Sequence, residues 1–325
     1  MKAVMCTAFD GPEALRIGTL PDPEPASDEV LVEVQAASVS FMDLLMISGG
    51  YQLRPDLPYV PGTDAAGVAR AVGADVAHIR PGDRVIGTGW HGAYAERMVV
   101  KGWRCNRLPE GVDMVDGSTV AHTYATAHYA LKLRAGLQAG EWLLVTGAAG
   151  GVGLAAVDMG RMMGARVIAC VSRAEKAGIV RDYGAAEVIV LEEDNLRDRV
   201  KEITGGRGVD VCFEMLGGET FLTLARVMAW NGRLMPIGFA GGEIPKLPMN
   251  LPLLKNYSVV GVFIGAWNDH DPGPANRAVD DVLAEIAAGR LTPKVDRVLP
   301  LEDARRAMEL VQDRAVQGRV VLEVV

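Results

Sequence analysis

The sequence is short of several things that would mark it as a special class. It has only 4 cysteines in 325 residues, and Cys6, Cys105, Cys170 and Cys212 stand far apart. No C-x-x-C pair occurs and no histidine lies close to a cysteine, so neither a disulfide framework nor a cysteine metal site is legible. Free buried thiols in a reducing cytosol are expected instead. The five histidines, His78, His91, His122, His128 and His270, form no ligand-like group, and no metal is expected. His91, in GWHGAYAE, is the best candidate for a ligand or acid but reads as a loop residue; Glu96 reads as a satisfied polar group. Positive charge is also scarce. With 33 Lys and Arg against 41 Asp and Glu, the net charge of −8 argues against general binding to nucleic acid or an anionic membrane. No apolar run reaches the length of a membrane span, and the first residues lack the blocks of a signal peptide, so a cytoplasmic protein is expected. Internal repeats and low-complexity tracts are missing too.

What is present is 49% hydrophobic residues with 38 glycines and 17 prolines, the make-up of a globular chain with many turns. At this length two domains and a large core are expected. The most informative stretch is WLLVTGAAGGVGLAAVDMGRMMGARVIACVSRAEK, residues 142 to 176. An apolar run from Trp142 to Val145 leads into a glycine-rich turn, Gly147 to Gly153. An apolar-periodic segment and a second β-rich run, Arg166 to Val171, complete it. Strand, tight turn, helix, strand is the order of a dinucleotide-binding βαβ unit. Gly150 and Gly151 leave room for a backbone to approach a pyrophosphate, and Gly153 lets the helix pack closely. The helix N–H groups and dipole then favour the negative charge. In register the motif reads Ala148-x-Gly150-x-x-Gly153, with alanine at the first glycine.

The end of the second strand selects the cofactor. An NAD site usually carries Asp or Glu there to hold the ribose hydroxyls. This chain has Ser172 and Arg173, with Lys176 a turn later. A hydroxyl and two cations suit a 2′-phosphate, which points to NADP(H). The alternative is that Arg173 and Lys176 are simply the solvated start of a helix.

The first 115 or so residues read as short strands with turn signals, a partly open barrel. Strands are expected at Lys2 to Thr7, Glu29 to Val39, Ala65 to Val72, Arg84 to Thr88, Tyr94 to Val100 and Cys105 to Leu108. A helix follows over Asp116 to Arg134. Beyond the glycine turn, helices at Ala174 to Tyr183, Asn195 to Ile203 and Glu219 to Trp230 alternate with strands at Glu187 to Leu191, Val209 to Glu214, Arg233 to Ile237 and Val259 to Ile264. Such alternation predicts a parallel, doubly wound sheet. Helices at Asn276 to Ala288 and Leu301 to Val316 and a strand at Arg319 to Val325 are expected to return to the first domain.

These residues resemble the quinone oxidoreductase (zeta-crystallin-like) branch of the medium-chain dehydrogenase/reductase superfamily. The resemblance is carried by SGGYQLRPDLPYVPGTDAAGVARAVG at 48 to 73, PGDRVIG at 81 to 87, TAHYAL at 126 to 131, GAAGGVG at 147 to 153, GVDVCFEMLGG at 208 to 218 and GRVVLEV at 318 to 324. It implies an α/β fold in which a Rossmann doubly wound parallel sheet is inserted in a GroES-like β-barrel catalytic domain, with a cleft between them. The expected divisions are 1–118 and 265–325 for the catalytic domain and 119–264 for the cofactor domain. A homodimer is implied, usually through the Rossmann domains. Known members reduce quinones, enones or enoyl thioesters with NADPH. By the same resemblance Ala149, Gly150, Gly151 and Val152 match the pyrophosphate loop, and Ser172 with Lys176 the 2′-phosphate grip. Thr126 matches a position beside the nicotinamide. Ile237, Gly238, Phe239 and Ala240, with Val262, Phe263 and Ile264, match loops that line its pocket. Arg319 resembles a C-terminal basic residue that reaches the cofactor, the alternative being a surface cation at a strand start. The chain departs from the branch at Ser40, where asparagine is common, and at Leu191, where tyrosine or histidine is. It also has no cysteine-rich lobe or catalytic cysteine, unlike the zinc alcohol dehydrogenases.

Without a metal to polarise a carbonyl, hydride delivery to a carbon activated by conjugation is favoured, as in a quinone or an α,β-unsaturated carbonyl. Tyr51 is the candidate proton donor, or else it packs beside the nicotinamide. Asp43 and Asp64 read as caps or turn residues. A 2-enoyl-thioester substrate would require a basic rim, for which Arg54, Arg70, Arg80, Arg97, Lys101 and Arg104 are available. A non-catalytic, NADPH-binding or structural protein is the reading from another class.

Overall fold

The structure is a computed structural model, and it describes residues 1–324. Val325, the end of the expected last strand, lies outside the described residues. The chain forms two compact units, residues 1–122 with 267–325, and residues 123–266. The expected divisions after 118 and 264 fall a few residues before these.

The first unit opens with β1 (Lys2–Cys6) and β2 (Leu15–Thr19), an antiparallel pair. Next come β3 (Glu29–Val39), α1 (Phe41–Ile47), β4 (Asp64–Val72), β5 (Arg84–Thr88), β6 (Arg97–Lys101) and β7 (Cys105–Arg107). α2 (Met114–His128) runs from this unit into the second and continues as a π-helical stretch to Arg134. The second unit contains β8 (Trp142–Val145), α3 (Gly151–Met162), β9 (Arg166–Val171), α4 (Ala177–Asp182), β10 (Glu187–Val190), α5 (Leu196–Ile203) and β11 (Val209–Glu214). Its remainder is α6 (Gly218–Ala225), β12 (Met228–Pro236), α7 (Asn250–Lys255) and β13 (Ser258–Val259). α8 (Ile264–His270) takes the chain back, and α9 (Pro272–Ala287), β14 (Val295–Pro300), α10 (Ala304–Gln312) and β15 (Arg319–Glu323) complete the first unit.

In the first unit a seven-stranded sheet runs β14-β15-β3-β4-β5-β7, with β6 also paired to β3. The alternation in β3 has its cause here. Val30, Val32 and Val34 are all 0% exposed, in a core with Ala69, Val85, Val100, Val320 and Leu322. Each buried valine contributes roughly 1.5–3 kcal/mol relative to exposure. β15, from the end of the chain, pairs antiparallel with β3 through Val320 to Glu323, so the tail completes the sheet begun by the first forty residues.

The second unit is a six-stranded sheet, β10-β9-β8-β11-β12-β13, with every pairing parallel. The central strands β8, β9 and β11 are short and almost wholly buried, as a sheet covered on both faces requires. Two expectations are corrected. The helix expected to reach Trp230 ends at Ala225, and β12 begins at Met228, because Met228 pairs with Val209 across a bulge that Asn231 turns at φ 60°. The strand expected over Val259 to Ile264 is reduced to Ser258–Val259, and Ile264 opens α8. The β-branched run had the right composition, but β12 offers β13 a ladder of only two residues, Arg233 and Leu234.

Candidate functional site

The winding of the second sheet reverses between β8 and β11, since β9 and β10 lie beyond one and β12 and β13 beyond the other. Ligands of such sheets bind outside the carboxyl ends of the strands at this reversal. The two strand ends are tied here by side chains. Thr146 Oγ1 donates to Glu214 Oε1 at 3.3 Å and accepts the Met215 N–H at 2.8 Å. Fully buried Glu214 also accepts the N–H groups of Leu216 at 2.7 Å and Gly217 at 3.1 Å. Burial raises its pKa, and these donors pull it back. The sequence gives no sign of this pair, whose members stand 68 positions apart.

From Thr146 the chain enters the glycine turn. Gly147 takes φ +57°, a left-handed conformation that favours glycine. Ala148, at the first motif position, is fully buried and donates its N–H to the Cys170 carbonyl at 3.1 Å. Gly150 is the extended N-cap of α3. Gly153 is the tightest point, since a Cβ there would meet Gly147 O at 2.3 Å and Ala148 Cα at 2.9 Å. Close packing therefore falls on the turn itself more than on the strand. Ala149 is buried, whereas Gly151 and Val152 are partly exposed in the first turn of α3. The leading N–H groups of a helix have no intrahelical partner, so this turn can receive an anion.

At the end of β9, Ser172 and Arg173 are exposed and Lys176 partly so, the last in a short 3₁₀ turn, Ala174–Lys176. One feature was not legible in the sequence. Arg173 Nε lies 3.3 Å from Glu192 and its Nη1 4.0 Å from Glu175, so carboxylates already accompany this cation. Leu191, just before Glu192, packs against the core of the unit.

Ile237 to Ala240 leave the carboxyl end of β12 beside the end of β11. The Ile237 N–H donates to Glu214 O at 2.7 Å and the Ala240 N–H to Met215 O at 2.8 Å. Beyond β13, Val262 is partly exposed, Phe263 is 50% exposed, and Ile264 starts α8. Thr126 is buried in α2. The loops at 149–152, 172–176, 237–240 and 262–264 thus leave the carboxyl ends of parallel strands of one sheet.

Tyr51 and Arg319 belong to the first unit. Tyr51 is half-buried in the loop after α1, and desolvation raises its pKa, which keeps the phenol protonated. Arg319 is no surface cation. It is 6% exposed, and its Nη1 donates to the Val39 carbonyl at 2.9 Å. Asp43 is indeed a cap, the N3 member of a capping box with Ser40 at the start of α1. Asp64 is not a turn residue; it opens β4 and is 3% exposed. Of the cations available for a basic rim, Arg70 pairs with Glu33, Arg97 with Asp22, and Lys101 with Asp28 and Glu29. Arg104 pairs with Asp269 at 2.6 Å and lies over the Trp103 ring, 4.7 Å from its centroid. Arg54 donates to Gly49 O at 2.5 Å.

Known proteins align with this architecture over its length. Residues 26–110 match the family described as alcohol dehydrogenase GroES-like domain, and residues 151–277 that described as zinc-binding dehydrogenase. The quinone oxidoreductase-like protein 2 homolog of Nematostella vectensis is 37% identical over 99% of this chain and 88% of its own length. Human quinone oxidoreductase is 32% identical over 99% of this chain and 97% of its own. The structure of Escherichia coli quinone oxidoreductase complexed with NADPH superposes with a TM-score of 0.92 at 29% identity, covering 99% of this chain and 100% of that one. A parallel sheet with a glycine-rich crossover, inserted in a GroES-like barrel, is the build of an oxidoreductase. The chain belongs to the medium-chain dehydrogenase/reductase superfamily, in its quinone oxidoreductase branch.

The zinc of the second family description does not fit the side chains of this one. Among the described residues no group of three or more His, Cys, Asp or Glu could hold a metal ion. All four cysteines are buried, and burial pushes the Cys105 thiol up to about 12. His78 Nε2 is engaged at 3.1 Å with the Cys105 carbonyl, and His91 stands edge-on to Tyr59.

Proposed function

We propose that this enzyme is a metal-free, NADPH-dependent reductase of quinones or α,β-unsaturated carbonyl compounds. The observation that carries the reading is the crossover in which Gly153 presses the first turn of α3 onto Gly147 while Ser172, Arg173 and Lys176 follow β9. The glycine turn suits a pyrophosphate, since Gly150 and Gly151 place no side chain over the leading N–H groups of α3. The N–H groups of Gly151 and Val152, with the buried turn at Ala149 and Gly150, bind the diphosphate, and Ser172, Arg173 and Lys176 take the 2′-phosphate. Thr126, Ile237 to Ala240 and Val262 to Ile264 shape the nicotinamide pocket. NADPH, when bound, supplies the hydride.

The protein's own part is position and exclusion of water. Tyr51 keeps its proton at physiological pH and offers it to the oxygen or carbon that becomes basic as the acceptor is reduced. A conjugated acceptor suits a donor set without a metal. A quinone or enone is preferred over an enoyl thioester, because five of the six cations that would greet a coenzyme A phosphate are already bound to acids or carbonyls of the barrel.

The enzyme acts as a homodimer in this reading. β13 is an edge strand whose two residues are exposed, and α7 before it leaves Leu253 80% and Leu254 66% exposed. Both features suit pairing with a second copy.

Two measurements test the function. NADPH and NADH binding are compared for wild type, Lys176→Ala and Arg173→Ala; equal affinities, unmoved by the substitutions, sink the phosphate argument. Steady-state rates with 1,4-benzoquinone and crotonyl-CoA are then compared, the quinone being the faster substrate expected.

A further inference from the structure

The core of the first unit holds ionisable groups that the proposed reaction leaves unused. Asp43, Asp64, Tyr94 and Arg319 are all at most 6% exposed, and they come from α1, β4, the loop before β6, and β15. Within the cluster two acids face one cation, since Arg104, which also faces Asp64, is paired with Asp269, so with both acids ionised the cluster would carry an unbalanced buried charge, which is costly.

The hydrogen bonds divide the acids unequally. Asp43 Oδ2 accepts the Ser40 hydroxyl at 2.6 Å and the Ser40 N–H at 2.8 Å. The Tyr94 hydroxyl lies 3.1 Å from the same oxygen, with the Ser38 carbonyl at 3.3 Å as its alternative acceptor. Donors converging on one oxygen stabilise a carboxylate. Among the described residues Asp64 has only the Ser38 hydroxyl, at 3.4 Å. Arg319 spends Nη1 on the Val39 carbonyl, while its buried Nε and Nη2 have no hydrogen-bond partner among the described residues.

We propose that on the acid side of neutrality Asp64 carries a proton while Asp43 carries the charge, and that Asp64 is thereby a positioning residue that sets how much positive charge Arg319 presents. The charged and titratable groups facing Asp64 are Arg319, Asp43 and Arg104, and Tyr94 completes the cluster around Asp43. Burial pushes Asp64 up to about 7, with Arg319 pulling it back and Asp43 pushing it further. His122 also feels Arg319; desolvation and that cation push its pKa down to about 3, so it stays neutral and leaves the balance to the two acids. Once Asp64 ionises, Arg319 faces two negative charges and its hold on an anionic ligand weakens. This last step rests on Arg319 reaching the cofactor, which the resemblance to the quinone oxidoreductase branch implies.

Asparagine imitates a protonated aspartate, which makes the assignment testable. Stability of the full chain is measured by denaturant unfolding from about pH 5 to about pH 9 for wild type, Asp64→Asn and Asp43→Asn. Asp64→Asn is expected to be at least as stable as wild type at the acid end and to lack the loss of stability that wild type shows as pH rises toward about 7. Asp43→Asn is expected to lose stability throughout. The reverse pattern, with Asp43→Asn tolerated and Asp64→Asn unstable, overturns the proposal. Infrared spectra of the wild type supply a second reading that needs no variant to fold. A buried protonated carboxyl band should bleach as pH passes about 7, and its absence on the acid side overturns the proposal equally. NADPH affinity over the same range should fall about tenfold more in wild type than in Asp64→Asn, a usual size for two linked ligands. Equal falls remove the link to Arg319. If neither protein binds NADPH, the cofactor reading fails instead, and the unfolding and infrared results alone decide where the proton sits.

Discussion

Single residues carry the sharpest consequences. Gly153→Ala would press a methyl against Gly147 O at 2.3 Å, and backbone cannot give way as a flexible side chain does. The expected cost is about 1–3 kcal/mol of overpacking, with NADPH binding weakened at least tenfold; thermal unfolding and titration calorimetry check both. Arg173 invites the opposite experiment. Its exposed pairing with Glu192 contributes little to stability, so Glu192→Gln should leave the melting temperature in place and tighten NADPH binding by roughly twofold to fivefold, read by fluorescence titration against NADH as control. Asp64 gives a pH prediction with a definite sign. Its folded pKa of about 7 lies above the ordinary 3.8. Below the lower value both states are protonated and nothing is lost. As pH rises from there to about 7 the unfolded chain releases a proton that the folded one keeps, and stability falls by as much as roughly 4 kcal/mol. Asp64→Asn abolishes that slope in a denaturation series.

Elements depend on how their ends are satisfied. α1 is only seven residues long and begins at a capping box, Ser40 Oγ accepting the Asp43 N–H at 3.1 Å while Asp43 accepts from Ser40. Ser40→Ala should cost about 1 kcal/mol, measured by chemical denaturation. It should also strip a donor from the Asp43 carboxylate and raise its pKa further. No apolar periodicity announces this helix, and it was absent from the sequence reading; the S-x-x-D spacing at 40 to 43 was the signal available. The strand at 258–259 shows the converse. Five further residues, Val260 to Ile264, have strand-like composition at several positions, yet the ladder closes at Val259, opposite Leu234, and Ile264 already opens α8. Composition states what a segment tolerates, and neighbouring backbone decides how much of it is used.

At the scale of the molecule, each unit has its own core, one around Val30, Val32 and Val320, the other around Leu144, Ile168 and Cys212. The first draws on both ends of the chain, since β15 pairs with β3. Replacing exposed Val259 with lysine on the edge strand should turn the proposed dimer into a monomer, a halving of mass in light scattering, with NADPH binding kept. An unchanged mass would remove β13 from the proposed interface.

The sequence by itself determined the crossover and the family. Gly147, Gly150 and Gly153 sit at fixed spacing because local geometry demands it, and a local demand is written locally. The alternation of Val30, Val32 and Val34 likewise declared a half-buried strand. Only the tertiary structure decided that Thr146 holds Glu214, that Arg173 shares its charge with Glu192, and that Arg319 is buried facing Asp43 and Asp64. Each of these joins residues from separate strands or loops. Burial and the number of donors around a charge are properties of the assembled neighbourhood, so no pattern along the chain records them.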